Sequence, residues 1–113
     1  MEKFMLFFRG SEVYEPDQSP EELQKLTEKM MHWLADLDTT GSHVASERLK
    51  RSGMQVSGRA KKVIKEPFGA AQAIVGGCTI IEAANLEAAL QMAMKCPILE
   101  TNASIEIREI VGL

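Results

Sequence analysis

Few side chains in this sequence could move a proton or hold a ligand. His32 and His43 are the only groups whose ordinary pKa lies near neutrality, which makes them the first candidates for acid/base work. His43 follows the end of a helical stretch, in a loop. Interaction with the helix C-terminus accounts for it without catalysis, and general acid/base work is the sharper reading. His32 falls beside the apolar stripe of the same helix, where a packed or solvent-facing ring is the plainer role. Glu106, on a terminal strand beside Arg108, is the third candidate.

Arg9, Glu82, Glu106 and Arg108 all fall on or at the ends of strands. If the sheet face they share is covered, Glu106 and Arg108 must find partners. They then form an ion pair within or across subunits, or they line a cavity in which Arg9 or Arg108 holds an anion. Pro67, Phe68, Gly76 and Gly77 shape a turn and a strand entry, and Phe68 can also wall a pocket beside the sheet. Arg9, Phe68, Glu82 and Arg108 are therefore the expected ligand-binding set. The sequence has no P-loop, HExxH, GxSxG or GxGxxG and no cluster with metal-ligand spacing, so neither cofactor nor metal is expected. The seven methionines lie mainly along helix stripes and strands and read as core filler.

These residues must be positioned by the elements around them. Residues 3–9 (KFMLFFR) read as a strand, with Phe4, Leu6 and Phe8 on one face and Met5 and Phe7 on the other. Gly10 to Gln18 is a polar surface connection. Ser19, Pro20 and Glu22 spell an N-cap, a first-turn proline and a capping-box acid. Leu23, Leu26, Met30, Trp33 or Leu34, and Leu37 recur at helical spacing, and Gly41 is the stop.

His43 to Gly58 carries two turn signals, with short extended pieces between them. Ala60 to Lys65 reads as the second strand, ended by Pro67, and Gly77 to Ala83 as the third. Asn85 caps a second helix with Glu87 in its first turn, and Pro97 ends it. Ser104 to Ile110 alternates, with Ile105 and Ile107 inward and Glu106 and Arg108 outward.

The order strand, helix, strand, strand, helix, strand implies an α+β, ferredoxin-like βαββαβ chain: a four-stranded antiparallel sheet with both helices on one face. At 113 residues, 1–113 is expected to form a single domain. Two helices cover one face, yet the first and third strands are apolar on both. A second copy is therefore expected to cover the other face, making a homodimer through the sheet unless the 43–58 segment roofs it.

Net charge is −3, but residues 48–65 carry seven basic groups and no acid, which leaves a balance of −10 elsewhere. Without interleaved aromatics or a reading helix, that basic run is a solvated edge rather than a nucleic-acid surface. Cys78 and Cys96 are too few for a disulfide scaffold, the apolar run 4–8 is shorter than a signal-peptide core, and no stretch reaches membrane-spanning length. A cytoplasmic protein without membrane contact is expected.

The stretch PFGAAQAIVGGCTIIEAANLEAALQMAMKCPIL, followed by SIEIREI, resembles the YCII-related family and in particular its DGPF-motif subgroup. The opening KFMLFFRG, the Trp33 helix and Gly41 fit as well, so the resemblance covers nearly the whole chain. It implies a dimeric α+β barrel similar in fold to muconolactone isomerases and small cofactor-free monooxygenases. Departures accompany it. Lys65-Glu66 replace Asp-Gly before Pro-Phe, and the acid, lysine and acid that usually follow fall at Ala70, Gln72 and Ala73. The resemblance also implies a His and Asp acid/base pair, whose positions here fall near Met30 and at Cys96. Neither residue can transfer a proton in that role.

The resulting expectation is a small YCII-like homodimer that binds an apolar or aromatic metabolite, with cofactor-free isomerase- or oxygenase-like chemistry left open. A non-catalytic accessory or sensor domain, or a transcription-linked partner protein, is the alternative.

Overall fold

A computed structural model describes residues 1–10, 19–69 and 73–112. The chain runs β1 (Glu2–Arg9), α1 (Pro20–Thr39), β2 (His43–Arg48), β3 (Gln55–Ser57), β4 (Lys62–Ile64), β5 (Val75–Ala83), α2 (Leu86–Met94), a 3₁₀ turn (Pro97–Glu100) and β6 (Ser104–Glu109). The expected connection at Gly10 to Gln18 lies outside the described residues from 11 onward, as do Ala70 and Gln72.

Local chemistry sets the helix ends. The Glu22 amide donates to Ser19 Oγ at 3.2 Å, which caps α1, and the Ser19 hydroxyl donates to Glu22 Oε1 at 3.1 Å, which holds the capping side chain in place. Gly41 supplies the left-handed turn (φ +74°) that releases the chain from α1. Asn85 Oδ1 accepts from the Ala88 amide at 2.8 Å and starts α2. Leu26, Trp33 and Leu37 form the buried stripe of α1, Met30 and Leu34 flank it part-buried, and Leu23 is more open.

The main sheet has order β2-β5-β1-β6, all neighbours antiparallel, which is the ferredoxin-like arrangement expected from the element order. The second strand of that arrangement is a correction. It is His43–Arg48 that pairs with β5, whereas the 60–65 segment forms β4, paired only with β3 in a separate hairpin. AKKVIK has strand propensity, but pairing partners are not encoded in local period. Leu49 leaves β2 with its amide on the Gly76 carbonyl (3.0 Å), and the hairpin grows out beyond the sheet as an insertion.

Phe4, Leu6, Phe8, Thr79, Ile81 and Ala83 face the helices and are buried. On the other face Met5, Phe7, Cys78 and Ile80 are only part-buried and stand outside the core cluster. The hairpin does not roof them: Met54, Val56 and Val63 on it are exposed themselves. Ile105 and Ile107 of β6 pack on the core, with Glu106 and Arg108 on the opposite face, as their alternation implied.

Two consequences can be measured. A β-carbon on Gly77 would lie 2.8 Å from the Glu47 carbonyl oxygen, so Gly77→Ala must push β2 off β5. The expected loss is about 1–3 kcal/mol in denaturant unfolding; an unchanged midpoint would show that β2 moves freely. Burial pushes the Cys96 thiol from 9.0 up to about 11. The unfolded chain therefore loses this proton first, and stability contributed below pH 9 is lost as pH rises through about 11. Cys96→Ala should flatten the stability profile over that range.

Candidate functional site

The residues with chemical potential fall in three places. The first is a cleft of about 400 Å³ between α1 and the β2–β5 edge, on the helix side of the sheet. Its walls are mainly apolar, including Phe8, Leu26, Met30, Trp33 and Ile98, with the hydroxyl residues Ser46 and Thr79 on the sheet side, Thr27 on α1, and Glu47 and Arg48 also lining it. Trp33 fixes the position of α1 over this space. Its Nε1–H donates to the Met92 carbonyl at 3.0 Å, and its ring meets Phe8 edge-on at 6.3 Å. Gly76 and Gly77 lie on the cleft wall.

One side of the cleft is wired by hydrogen bonds. His43 Nδ1 is 2.7 Å from Asp38 Oδ1, His43 Nε2 is 2.8 Å from Ser46 Oγ, and Ser46 Oγ is 2.9 Å from Thr79 Oγ1. Sequence reasoning found His43 but missed Asp38, Ser46 and Thr79. No helical or strand period joins positions 38, 43 and 46, because the Gly41 turn and a bulge at Val44 lie between them. The His43 ring contacts the Asp38 side chain rather than the terminal carbonyls of α1.

Met30 and Cys96, the positions implied for an acid/base pair, do come together. The Cys96 thiol donates to Met30 Sδ at 3.6 Å, and Met30 lines the cleft. The thioether has no proton, and the buried thiol keeps its own well above neutral pH.

The second place is the open sheet face. Arg9 donates twice to Glu106 Oε1, from Nε at 3.0 Å and Nη2 at 2.8 Å, and its Nη1 donates to the Ala73 carbonyl at 2.6 Å. Its guanidinium also lies 5.8 Å from the centre of the Phe7 ring. Arg108 Nη1 stands 3.9 Å from Glu106 Oε2. Glu82 lies on this face opposite Lys3. With Arg9 and Glu106 each about one-third exposed, the pair adds under about 1 kcal/mol while the face stays wet.

The third place is a shallower depression where Arg9 and Phe68 meet Leu49, Lys50, Pro67 and Ile74. Phe68 is 70% exposed there. Of the expected ligand set, then, Arg9 joins Phe68 in this depression and shares Glu106 with Arg108 on the sheet, while none of the four lines the cleft beside α1. His32 is exposed on α1 and also lies off the cleft. Among the described residues no group of His, Cys, Asp and Glu could hold a metal ion, and no helix is long and apolar enough to cross a membrane.

No curated protein matches the sequence. Among solved structures, 5-chloro-2-hydroxyhydroquinone dehydrochlorinase (TftG) from Burkholderia phenoliruptrix AC1100, in complex with 2,5-dihydroxybenzoquinone, is similar over 96% of this chain and 93% of its own, at 11% identity and a TM-score of 0.48. The de novo designed protein Ferredog-Diesel is similar over 96% of this chain and 84% of its own, at 14% identity and a TM-score of 0.42. Neither likeness bears on chemistry, and the fold rests on the strand order itself. The model of the YCII-related domain, by contrast, matches residues 4–113, and the protein belongs to that family.

Proposed function

We propose that this YCII-related protein is a homodimer that binds a small apolar or aromatic metabolite in the cleft between α1 and the β2–β5 edge of each subunit. The cleft carries the reading: about 400 Å³, apolar walls and two hydroxyls, Ser46 and Thr79, on one side. Met30 and Cys96 bear on the chemistry. A proton-transfer pair is missing from the place where the family resemblance implies one, so isomerase- or oxygenase-like turnover has no support at that point. The same two residues favour the second reading, an accessory or sensor domain that binds without converting.

Support for the dimer comes from the sheet. Met5, Phe7, Cys78 and Ile80 make a part-buried apolar strip with the Arg9–Glu106 pair at its side. A partner's sheet laid against it would remove the strip from water and exclude solvent from the ion pair. The basic run at 48–65 and the acidic remainder of the chain give two copies complementary charge. Pro67-Phe68 support a DGPF-type assignment within the family. A cytoplasmic setting is supported by two free thiols on different layers, Cys78 on the open face and Cys96 in the core.

Light scattering at micromolar concentration should give twice the chain mass, and Phe7→Glu should give the chain mass. A wild-type monomer sinks the dimer. For the cleft, an anilinonaphthalene sulfonate dye should bind and alter the fluorescence of Trp33, the single tryptophan. Leu23 lines the cleft but is 41% exposed, so Leu23→Arg should spare the fold and weaken the dye about tenfold, roughly 1.4 kcal/mol. Unchanged affinity would place the dye, and the reading, elsewhere.

A further inference from the structure

We propose that Asp38, His43 and Ser46 form a nucleophilic triad on the wall of the cleft, with Ser46 attacking small apolar esters or thioesters. The inference rests on reading the cleft as a ligand site, and it assigns that site a reaction.

The geometry is that of an activated serine. One tautomer of His43 satisfies both neighbours: Nδ1–H donates to Asp38 at 2.7 Å, and Nε2 accepts from the Ser46 hydroxyl at 2.8 Å. The carboxylate then holds the ring and stabilises the imidazolium that forms when Ser46 gives up its proton. The chain is also graded from water to cleft. The Asp38 side chain is 63% exposed, that of His43 is 17% exposed, and Ser46 reaches the cleft wall.

The backbone is shaped to make this contact. In an uninterrupted strand His43 would share a face with Ala45 and Glu47, away from Ser46. Instead His43 pairs with Ile81 and Ala45 with Ile80, so two steps on β2 match one on β5 and Val44 is the extra residue. His43 opposite Ile81 and Ser46 opposite Thr79 thereby share the helix side of the sheet. The bulge turns the imidazole onto the serine.

Thr79 adds a donor. Its hydroxyl oxygen is 2.9 Å from Ser46 Oγ, beside the place where an oxyanion would develop. In the reaction Ser46 Oγ bonds to the acyl carbon as its proton passes to His43 Nε2, and the oxyanion takes the Thr79 hydroxyl. Collapse breaks the bond to the leaving oxygen or sulfur, which takes the proton from His43 and departs as an alcohol or thiol. Water then adds to the acyl carbon, losing a proton to His43. The Ser46 Oγ bond breaks, Ser46 regains the proton, and a carboxylic acid leaves. Ester and water become acid and alcohol with no other reactant. Apolar walls of Phe8, Leu26, Met30 and Trp33 suit a short alkyl or aromatic acyl group.

The same hydrogen bonds could merely fasten the end of α1 to β2, and the test separates the two roles. Wild-type protein is treated with a fluorophosphonate probe and assayed with p-nitrophenyl butyrate. We expect a single phosphonyl adduct, mapped to Ser46, and ester hydrolysis. Ser46→Ala should abolish both, and His43→Gln should slow both at least about 100-fold with its melting temperature near wild type. Asp38→Asn, at an exposed carboxylate, serves if His43→Gln unfolds. As a positioning residue, Asp38 should on substitution lower kcat far more than it raises KM. Absence of an adduct on Ser46, or labelling at the wild-type rate without His43, overturns the triad. If the naphthalene sulfonate dye still binds the cleft in that case, the binding reading survives; if dye binding fails as well, both fall.

Discussion

The site depends on how closely β2 runs along β5. Gly77 permits that approach, because a β-carbon there would meet the Glu47 carbonyl oxygen at 2.8 Å. The contact is locked at both ends by backbone bonds, Glu82 N–H to the Ser42 carbonyl at 2.8 Å and Leu49 N–H to the Gly76 carbonyl at 3.0 Å. With the strand fixed at its ends, the extra residue at Val44 is taken up as a bulge rather than as a slipped register. The His43–Ser46–Thr79 contacts and the width of the cleft below α1 both follow from that accommodation.

Much of the fold was legible in the residues. Ser19, Pro20 and Glu22 announced the start of α1, Gly41 its end, and Asn85 the start of α2, because caps act through bonds only a few residues long. β6 was legible because its two faces differ in polarity. β2 was not: HVASER is an edge strand with a bulge, so exposure along it does not alternate. AKKVIK, two β-branched residues among lysines, looked a better sheet strand and belongs to the hairpin instead. The site was less legible. Asp38, Ser46 and Thr79 are ordinary residues in sequence, and only the turn at Gly41 and the bulge bring them to His43. Met30 and Cys96, where the family resemblance implied an acid/base pair, touch in the structure.

The hairpin and the open sheet face belong to one problem. A two-stranded hairpin alone is marginal in water, and this one exposes Met54 (72%), Val56 (66%) and Val63 (57%). It carries much of the chain's basic charge, while the rest of the chain is acidic. The exposed apolar side chains of the hairpin and the part-buried strip Met5, Phe7, Cys78 and Ile80 are thus two apolar surfaces that one copy leaves uncovered among the described residues. Within one copy, β3 and β4 pair with each other and stand apart from the main sheet.

The distribution of polar groups around the cleft gives the last constraint. A His–Asp pair at positions 30 and 96 would sit between α1 and the core, where Cys96 is 2% exposed and ionisation is costly enough to push its thiol to about 11. Replacing such a pair with a thioether and a thiol removes that cost and makes the inner wall of the cleft apolar. The hydrogen-bonded groups that remain are on the β2–β5 wall, where the Asp38 carboxylate is exposed while its partner His43 reaches inward. A carboxylate at the surface, joined through one ring to a hydroxyl on a mainly apolar wall, makes that connection without being buried itself. The Met30–Cys96 contact and the Asp38–His43–Ser46 chain are thus compatible features of one cleft: a thioether and a thiol meet at its inner side, and hydrogen-bonded polar groups line its edge.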